Sequence, residues 1–246
     1  MISNKSIKYI KSLQLKKYRK QEKQFLVEGT KSVLEVLASD YEIVTLLATK
    51  DFFIQNDIPS GTNGFETHTV TENLLSSVSN FKSNKTALAV VKMQERNNIT
   101  FNANEWVLAL DDINDPGNLG TIIRIAVWYG IHKILCSRHT AELYNPKVIA
   151  ASMGSFTRVS LYYEDMYSSL SHCKLTIYGT LLQGKNVHKI NFKEAGVILI
   201  GNESHGISDD LISLINQKIT IPKFGKAESL NAGIATAIIC DNLRRK

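Results

Sequence analysis

The sequence has few cysteines and prolines and no long apolar run. Its three cysteines, Cys136, Cys173 and Cys240, are scattered and contain no C-x-x-C pair, so we expect neither a disulfide framework nor a zinc site. Cys240 lies in an apolar helical stretch, which predicts a core position. No segment approaches the roughly 18 consecutive apolar residues of a membrane span, and the N-terminus has no apolar signal core. These absences predict a cytosolic protein with no membrane contact, and we place it in the cytoplasm.

The common nucleotide-binding signatures are also missing. No G-x-G-x-x-G follows a predicted strand, and Gly184-Lys185-Asn186 does not complete a G-x-x-x-x-G-K-[ST] motif. Those motifs bind the phosphates of dinucleotides and nucleoside triphosphates, so we expect neither a dinucleotide enzyme nor a P-loop NTPase. No cluster of side chains has metal-ligand spacing, so we expect no metal.

Negative charge is sparse at the start of the chain. Residues 1–31 carry nine cations, eight lysines and Arg19, against two glutamates. Apolar residues recur at roughly helical spacing over 6–23, which predicts one amphipathic basic helix. Its apolar positions are Ile7, Ile10, Leu13 and Leu15. Such a charge run is typical either of a solvated helix face or of a surface for a polyanion, and the formal net charge of +6 does not decide between them.

A polar segment that contains Asn97-Asn98 predicts a boundary between two domains, 1–95 and 104–246, with a linker at about 96–103. The first domain alternates short apolar strands, expected at 25–27, 43–48 and 86–91, with helices expected after Gly29 and from Glu72. In the second, strands and helices alternate more regularly, which predicts an α/β fold with a mostly parallel sheet. The strands expected there lie at 106–110, 134–136, 175–180, 197–200 and 218–221, and the helices at about 119–129, 146–152 and 229–243.

Three loops rich in glycine or asparagine follow strands of the second domain, at 115–124, 201–208 and 221–231. Parallel α/β sheets bind ligands at the carboxyl ends of their strands, so these loops are candidate ligand sites. Asn118 and Ser229 each have a second interpretation as helix N-caps. Arg124 follows two isoleucines in a predicted helix, where it either reaches solvent or points into a site. His205 is most simply a polar surface residue.

Together the three loops resemble the signature motifs of the SpoU (TrmH-like) branch of the SPOUT RNA methyltransferases. The string DPGNLGTIIR at 115–124 is similar to motif one, GNE at 201–203 with Gly206 to motif two, and Ile221-Pro222 with Ser229-Leu230-Asn231 to motif three. Asn4, Arg19 and the string FLVEG at 25–29 resemble the ribosomal-protein-like α/β substrate-binding domain of this family. The resemblance is weakest at about 51–81. The chain departs from the family at Ser204, where glycine is frequent, and at Ala232-Gly233.

The resemblance implies a C-terminal SPOUT domain with a deep trefoil knot, which acts as a homodimer and binds S-adenosylmethionine. The cofactor site would include Thr180, Gly201, Ile221 and Leu230. The reacting ribose would be surrounded by Arg124, Asn118, Glu203, Ser229 and Asn231. Arg124 would reach in from the neighbouring subunit.

The expected reaction is methyl transfer to a ribose 2'-hydroxyl. A methyl sulfonium is an activated donor, so the protein must mainly align the acceptor oxygen about 3 Å from the methyl carbon. A guanidinium scarcely deprotonates, so we interpret Arg124 as an electrostatic clamp for developing negative charge rather than as a base. Large-subunit ribosomal RNA is the expected substrate. Transfer RNA is the first alternative, and a non-catalytic RNA-binding protein on the same fold is the second.

Overall fold

The computed structural model describes residues 2–58 and 64–245. They divide into two compact units, Met1–Glu95 with Tyr144–Thr157, and Arg96–Leu143 with Arg158–Lys246. Among these residues, no helix is both long and apolar enough to cross a bilayer. The same described ranges contain no group of three or more His, Cys, Asp or Glu side chains able to hold a metal ion.

The first unit is a four-stranded mixed sheet with strand order β1-β4-β2-β3. β4 runs antiparallel to both β1 and β2, whereas β3 runs parallel to β2. The strands and helices expected around Phe25, Gly29, Ile43, Glu72 and Leu88 are all present. The elements are α1 (Asn4–Ser12), α2 (Lys16–Glu22), β1 (Gln24–Glu28), α3 (Thr30–Leu37), β2 (Ile43–Ala48), α4 (Lys50–Gln55), β3 (Glu66–Thr69), α5 (Glu72–Val78) and β4 (Ala87–Lys92). Neither α4 nor β3 was expected from the sequence, and both fall where the family resemblance is weakest.

The single basic helix expected over 6–23 is wrong, because the chain turns between α1 and α2. Leu13 is fully buried at this turn, and Leu15, expected on the apolar face, is 60% exposed. Arg19 is only 3% exposed, and its Nη1 donates to the carbonyl oxygens of Leu13 (3.4 Å) and Gln14 (2.8 Å). Arg19 is therefore a structural residue that holds the turn, while the eight lysines of this region are exposed.

A segment from the middle of the chain, Tyr144–Thr157, also belongs to the first unit. It contains α7 (Pro146–Ser152), where a helix was expected. The ring of Tyr144 lies 4.4 Å from that of Phe25, and Phe156 packs edge-on against Phe25 at 5.9 Å. Because both rings pack on β1, this segment is part of the first unit's aromatic core, an arrangement that no pattern in the sequence indicated.

The second unit is a six-stranded sheet of order β10-β8-β9-β5-β6-β7, in which every pairing is parallel. The mostly parallel α/β sheet is confirmed. All five residues of both β5 and β9 are buried, so both faces of these strands are covered. The elements are β5 (Trp106–Leu110), α6 (Pro116–Trp128), β6 (Lys133–Cys136), β7 (Ser160–Tyr163), α8 (Met166–Ser171), β8 (Ile177–Asn186), β9 (Gly196–Ile200), α9 (Asp209–Ile212), β10 (Gln217–Thr220) and α10 (Ala232–Arg244).

Three short elements of this unit, β7, α8 and α9, were not expected from the sequence. Two helix starts also differ, since α6 begins at Pro116 rather than near Leu119, and α10 begins at Ala232 rather than near Ser229. α6 and α10 pack against each other. Cys240 on α10 is buried, as predicted, and burial raises the pKa of its thiol to about 12.

Candidate active site

The motif loops lie at one edge of the parallel sheet. The loops at 115–124 and 201–208 follow the adjacent strands β5 and β9, and the loop at 221–231 follows β10. Because parallel strands present their carboxyl ends at the same edge, all three loops start there.

A chain of hydrogen bonds joins one side chain from each motif. The Asn118 amide Nδ2 donates to the Glu203 carboxylate, and the Asn231 Nδ2 donates to Asn118 Oδ1 at 2.7 Å. Asn231 Oδ1 in turn accepts from the backbone N–H of Ile234 at 3.2 Å. The structure therefore brings together three of the five residues expected around the ribose.

The directions of these hydrogen bonds follow from the backbone N–H of Ile234. The Ile234 N–H can only donate, so the oxygen of Asn231 faces it and the NH2 group faces Asn118. Asn118 must then present its oxygen to Asn231 and its NH2 group to Glu203. Glu203 Oε1 accepts this bond, and Oε2 has no hydrogen-bond partner among the described residues. The second carboxylate oxygen is therefore free to accept from a hydroxyl.

Helix capping explains why the Asn118 side chain is available to bond Glu203 and Asn231. Asp115, and not Asn118, is the N-cap of α6, and its Oδ1 accepts from the Asn118 backbone N–H at 2.8 Å. The interpretation of Asn118 as N-cap is therefore wrong. Proline at the first helical position lets the helix start one turn earlier than expected.

The same correction applies to Ser229. Asn231 is the N-cap of α10, so Ser229 lies outside the helix, exposed in the preceding loop. Its hydroxyl makes no hydrogen bond within 2–58 or 64–245. The structure does not join Ser229 to the chain that links Asn118, Glu203 and Asn231.

The loop after β9 closes on itself. Asn202 and Gly206 exchange backbone hydrogen bonds of 2.9 Å in both directions, and Asn202 Oδ1 accepts from the Ser204 N–H at 2.7 Å. A Cβ at Gly201 would lie 2.3 Å from the carbonyl carbon of Gly206. Gly201 is therefore required by the close approach of its own loop, which carries Glu203. His205 is exposed at the tip.

Two aspartates after β5, not identified as site residues in the sequence, anchor this loop. Asp111 is buried, and its Oδ2 accepts from the backbone N–H (2.8 Å) and hydroxyl (2.7 Å) of Ser208. The Asp112 carbonyl oxygen accepts from Asn202 Nδ2 at 2.7 Å. In the sequence, two adjacent acids directly after an apolar strand could have indicated that Asp111 and Asp112 anchor a loop. Both ends of the Glu203 loop are thus tied to the end of β5.

Arg124 is exposed on α6, where it shares one face with Thr121 and Trp128. Ile122 and Ile123 take the buried face instead. Of the two positions expected for Arg124, the structure shows the one that faces solvent. No hydrogen bond or ion pair of its side chain occurs among the described residues, so the structure supplies no protein partner for it.

Three of the four expected cofactor residues lie in the loops after β9 and β10, and the fourth, Thr180, lies at a break in strand pairing. Thr180 is inside β8 rather than at its end: the register with β10 shifts so that Gly179 pairs with Lys218 and Lys185 with Ile219, leaving residues 180–184 unpaired with β10. Gly201 directly follows β9 and Ile221 follows β10, while Leu230 is exposed near the end of its loop.

The loop at 222–230 has the donors and acceptors that a nucleoside ligand needs. Within the described chain, its backbone N–H and C=O groups make no hydrogen bonds to other backbone groups. Residues 223–230 are all exposed. Buried backbone polar groups are normally paired, so a ligand that covers this loop must supply their partners. The residues present therefore fit S-adenosylmethionine, whose adenine and amino-acid groups can pair with backbone amides.

Two known domain families match this chain. The sequence pattern of the SpoU rRNA Methylase family matches residues 105–241, and that of the MRM3-like substrate binding domain matches residues 4–89. The chain is 30% identical over 245 residues to the 23S rRNA (guanosine(2553)-2'-O)-methyltransferase RlmP of Bacillus subtilis, covering 98% of this chain and 96% of that protein.

Solved structures give the same result for the fold. A TrmH-family protein from Porphyromonas gingivalis superimposes with a TM-score of 0.89 at 31% identity, covering 99% of this chain and 98% of that one. An AdoMet-bound rRNA methyltransferase from Sinorhizobium meliloti gives a TM-score of 0.88 at 27% identity, covering 99% and 95%.

The parallel α/β unit, its motif loops and these relatives place the protein in the class of RNA methyltransferases. Within that class, the chain belongs to the SpoU rRNA methylase family.

Proposed function

We propose that this protein methylates a ribose 2'-hydroxyl of large-subunit ribosomal RNA, with S-adenosylmethionine as the methyl donor. The observation that carries the proposal is the hydrogen-bond chain from Glu203 through Asn118 to Asn231, because it joins all three family motifs at the carboxyl edge of the sheet. The family match and the similarity to a 23S rRNA enzyme over nearly the whole chain support the substrate class.

Thr180, Gly201, Ile221 and Leu230 would hold the cofactor, which supplies a methyl group already activated on a sulfonium. The free Oε2 of Glu203 would accept a hydrogen bond from the ribose hydroxyl and orient its oxygen. Asn118 holds Glu203 in place, and Asn231 with Ser229 would position the acceptor nucleotide. The exposed Arg124 would stabilise negative charge on the reacting oxygen and the neighbouring phosphate.

We propose that the active form is a homodimer in which Arg124 serves the partner's site. Apolar side chains on and near α6 and α10 are exposed, with Trp128 at 83% and Phe224 at 96%. Ile234 and Leu230 are also exposed. Large exposed apolar groups of this kind mark association surfaces. Trp128 lies one helical turn after Arg124, and Leu230 and Ile234 lie on either side of Asn231 in the sequence. The trefoil knot that the family implies is part of the same proposal, since it would form the cofactor loops.

RNA is the proposed polyanionic partner of the first unit. The eight lysines among residues 1–31 are exposed, and one of them, Lys23, pairs with Glu95 at 2.6 Å. Lysine clusters bind nucleic acid mainly through phosphate charge. A cytoplasmic location follows from the proposed ribosomal RNA substrate.

Transfer RNA remains the second candidate, and the extent of the matches favours ribosomal RNA. The tRNA (guanosine(18)-2'-O)-methyltransferase of Escherichia coli is 26% identical over 147 residues and covers 58% of this chain. The 23S rRNA enzyme of Bacillus subtilis matches 98% of it. The relation to the rRNA enzyme therefore includes the first unit, the part of the chain proposed to bind RNA.

The test is to map ribose methylation in total RNA from cells with and without the gene. The proposal predicts that one 2'-O-methyl group disappears from 23S rRNA, with the guanosine equivalent to position 2553 as the first site to examine, and that it returns on complementation. Loss of a methyl group from tRNA would instead favour the second candidate. Calorimetry that detects no S-adenosylmethionine binding would favour a non-catalytic RNA-binding protein.

A further inference from the structure

A loop of the first unit, residues 79–86 between α5 and β4, is held rigidly at its start. We refer to it as the Phe81 loop. The carboxylate of Glu28, at the end of β1, accepts from the backbone N–H (2.9 Å) and side-chain Nδ2 (2.6 Å) of Asn80. It also accepts from the Phe81 N–H at 3.4 Å. One carboxylate thus fixes the residues that lead into the loop.

A second anchor closes the loop at its other end. The buried Asn84 Nδ2 donates to the Ser79 hydroxyl at 2.9 Å and to the Ala87 carbonyl oxygen at 3.0 Å. The Asn84 backbone N–H donates to the Phe81 carbonyl oxygen at 2.9 Å. Because both ends of the loop are hydrogen-bonded within the first unit, its backbone is anchored before a ligand binds, and such preorganisation lowers the entropy cost of binding.

The tip of this loop presents an aromatic ring among lysines. Phe81 is 36% exposed, and Lys82 and Lys85 are exposed beside it in sequence. The start of α3, which carries the exposed Lys31, contacts the end of the loop, because the hydroxyls of Thr30 and Thr86 lie 3.0 Å apart. Glu72 lies 3.8 Å from Lys85, and an exposed pair of this kind contributes little. Glu28 is occupied by the loop's own N–H groups.

We propose that the Phe81 loop is a stacking platform for an unpaired nucleotide of the RNA substrate. The Phe81 ring would stack on the base, while Lys31, Lys82 and Lys85 contact the flanking phosphates. Aromatic rings bind single-stranded RNA in this way because every base has a π-face, whereas the bases of a duplex are stacked on one another. The proposal rests on the proposed function, since it takes RNA as the partner, and adds that the bound region is single-stranded.

The experiment uses the full chain and two probes, a short single-stranded RNA that contains 2-aminopurine and the same strand in a duplex. Stacking quenches the fluorescence of 2-aminopurine, so the fluorescence of the single strand should fall when the wild type binds it. Phe81→Leu should bind the single strand roughly 5- to 100-fold more weakly, without quenching, and bind the duplex as before. Phe81→Trp should retain both properties. Unchanged single-strand affinity and quenching in Phe81→Leu would overturn the proposal.

A matched control removes another exposed apolar side chain of the same unit. Ile54, near the end of α4, is exposed, so Ile54→Ala should bind both probes like the wild type. Glu28→Ala tests the anchor, because it removes the acceptor of the Asn80 and Phe81 N–H groups and should weaken single-strand binding while Phe81 is intact. Methyl transfer to rRNA is measured in parallel. If the wild type methylates rRNA and Phe81→Leu still binds normally, only the platform is wrong. If the Phe81 effect is present without any methyl transfer, only the proposed function is wrong.

Discussion

Asn231 donates a hydrogen bond of 2.7 Å from its side-chain amide to the side-chain oxygen of Asn118. The two residues are far apart in the sequence, one capping α10 and the other in the first turn of α6. Since Asn118 also donates to Glu203, a change in any of the three side chains alters the position of the other two. In the proposed site, the two amides would therefore act through Glu203 as well as through any direct contact with RNA.

Replacing Asn118 by aspartate tests this coupling. Asn118→Asp keeps the size of the side chain but removes the NH2 donor and places a carboxylate against that of Glu203. Like charges at this distance repel, so Glu203 should move away from the acceptor and kcat should fall roughly 100-fold, the usual effect of losing one oriented donor. S-adenosylmethionine affinity, measured by calorimetry, should change little.

The control for this variant is Asn104→Asp, which makes the same chemical change at an exposed loop position. It should have wild-type kcat. Equal activity of Asn118→Asp and wild type would show that the hydrogen-bond chain has no part in catalysis.

Gly201→Ala should disorganise the Glu203 loop. The added Cβ would lie 2.3–2.4 Å from backbone atoms of Gly206 and Ile207, so the loop must shift, at a cost of about 1–3 kcal/mol in the free energy of unfolding. Gly225→Ala meets no atom within 4 Å and should leave Tm unchanged. Thermal unfolding of both variants, with calorimetry for S-adenosylmethionine, checks the prediction. A Gly201→Ala protein with wild-type Tm and cofactor affinity would disprove it.

The exposed lysines of α1 and α2 should set the salt dependence of RNA binding, and the buried Arg19 should not. Lys17→Gln and Lys20→Gln should each reduce the slope of log affinity against log salt by about 0.7–0.9 if the lysine contacts a phosphate. Arg19→Leu should instead lower Tm, because it removes the donor to the Leu13 and Gln14 carbonyls. Point variants are preferable to deletion of residues 1–95, which would strip Tyr144–Thr157 of its packing partners. A slope unaffected by the lysine changes would place the RNA footprint elsewhere.

Mixing two inactive variants tests whether Arg124 serves a neighbouring subunit. Arg124→Ala and Asn231→Ala should each be nearly inactive alone. After subunit exchange, half of the dimers are mixed, and each mixed dimer has one site with both defects and one with neither. Activity should therefore recover to about a quarter of the wild-type value. If the mixture stays inactive although mass spectrometry shows exchange, Arg124 acts within its own chain.

The regular elements with strong patterns were predictable from the sequence. The predicted bounds of β2 (Ile43–Ala48), β5 (Trp106–Leu110) and α7 (Pro146–Ser152) match those observed. Each is either a continuous apolar run or a helix introduced by Asn-Pro, so local chemistry determines it. The starts of α6 and α10 were misplaced because two cap residues competed, and the outcome depends on the tertiary contacts of Asn118 and Asn231.

Other features depend on tertiary packing that no local pattern reports. The association of Tyr144 and Phe156 with Phe25 is a long-range contact. Arg19 looked like one more cation in a basic run, and only the turn between α1 and α2 shows that it is buried. Motif similarity identified Asn118, Glu203 and Asn231 as a set, whereas their mutual hydrogen bonds and the anchoring by Asp111 required the structure.

Ribose methylation is tested most directly by methyl transfer to an acceptor that lacks only the reacting oxygen. A fragment of 23S rRNA is prepared with either a ribose or a 2'-deoxyribose at the mapped nucleotide. Transfer of the labelled methyl group from S-adenosylmethionine is then measured. A ribose methyltransferase should incorporate label fully into the ribose form and not at all into the 2'-deoxy form, and it should bind both with similar affinity. Equal incorporation into the 2'-deoxy RNA would show that the base is methylated, and would contradict the assignment of this protein as a ribose methyltransferase.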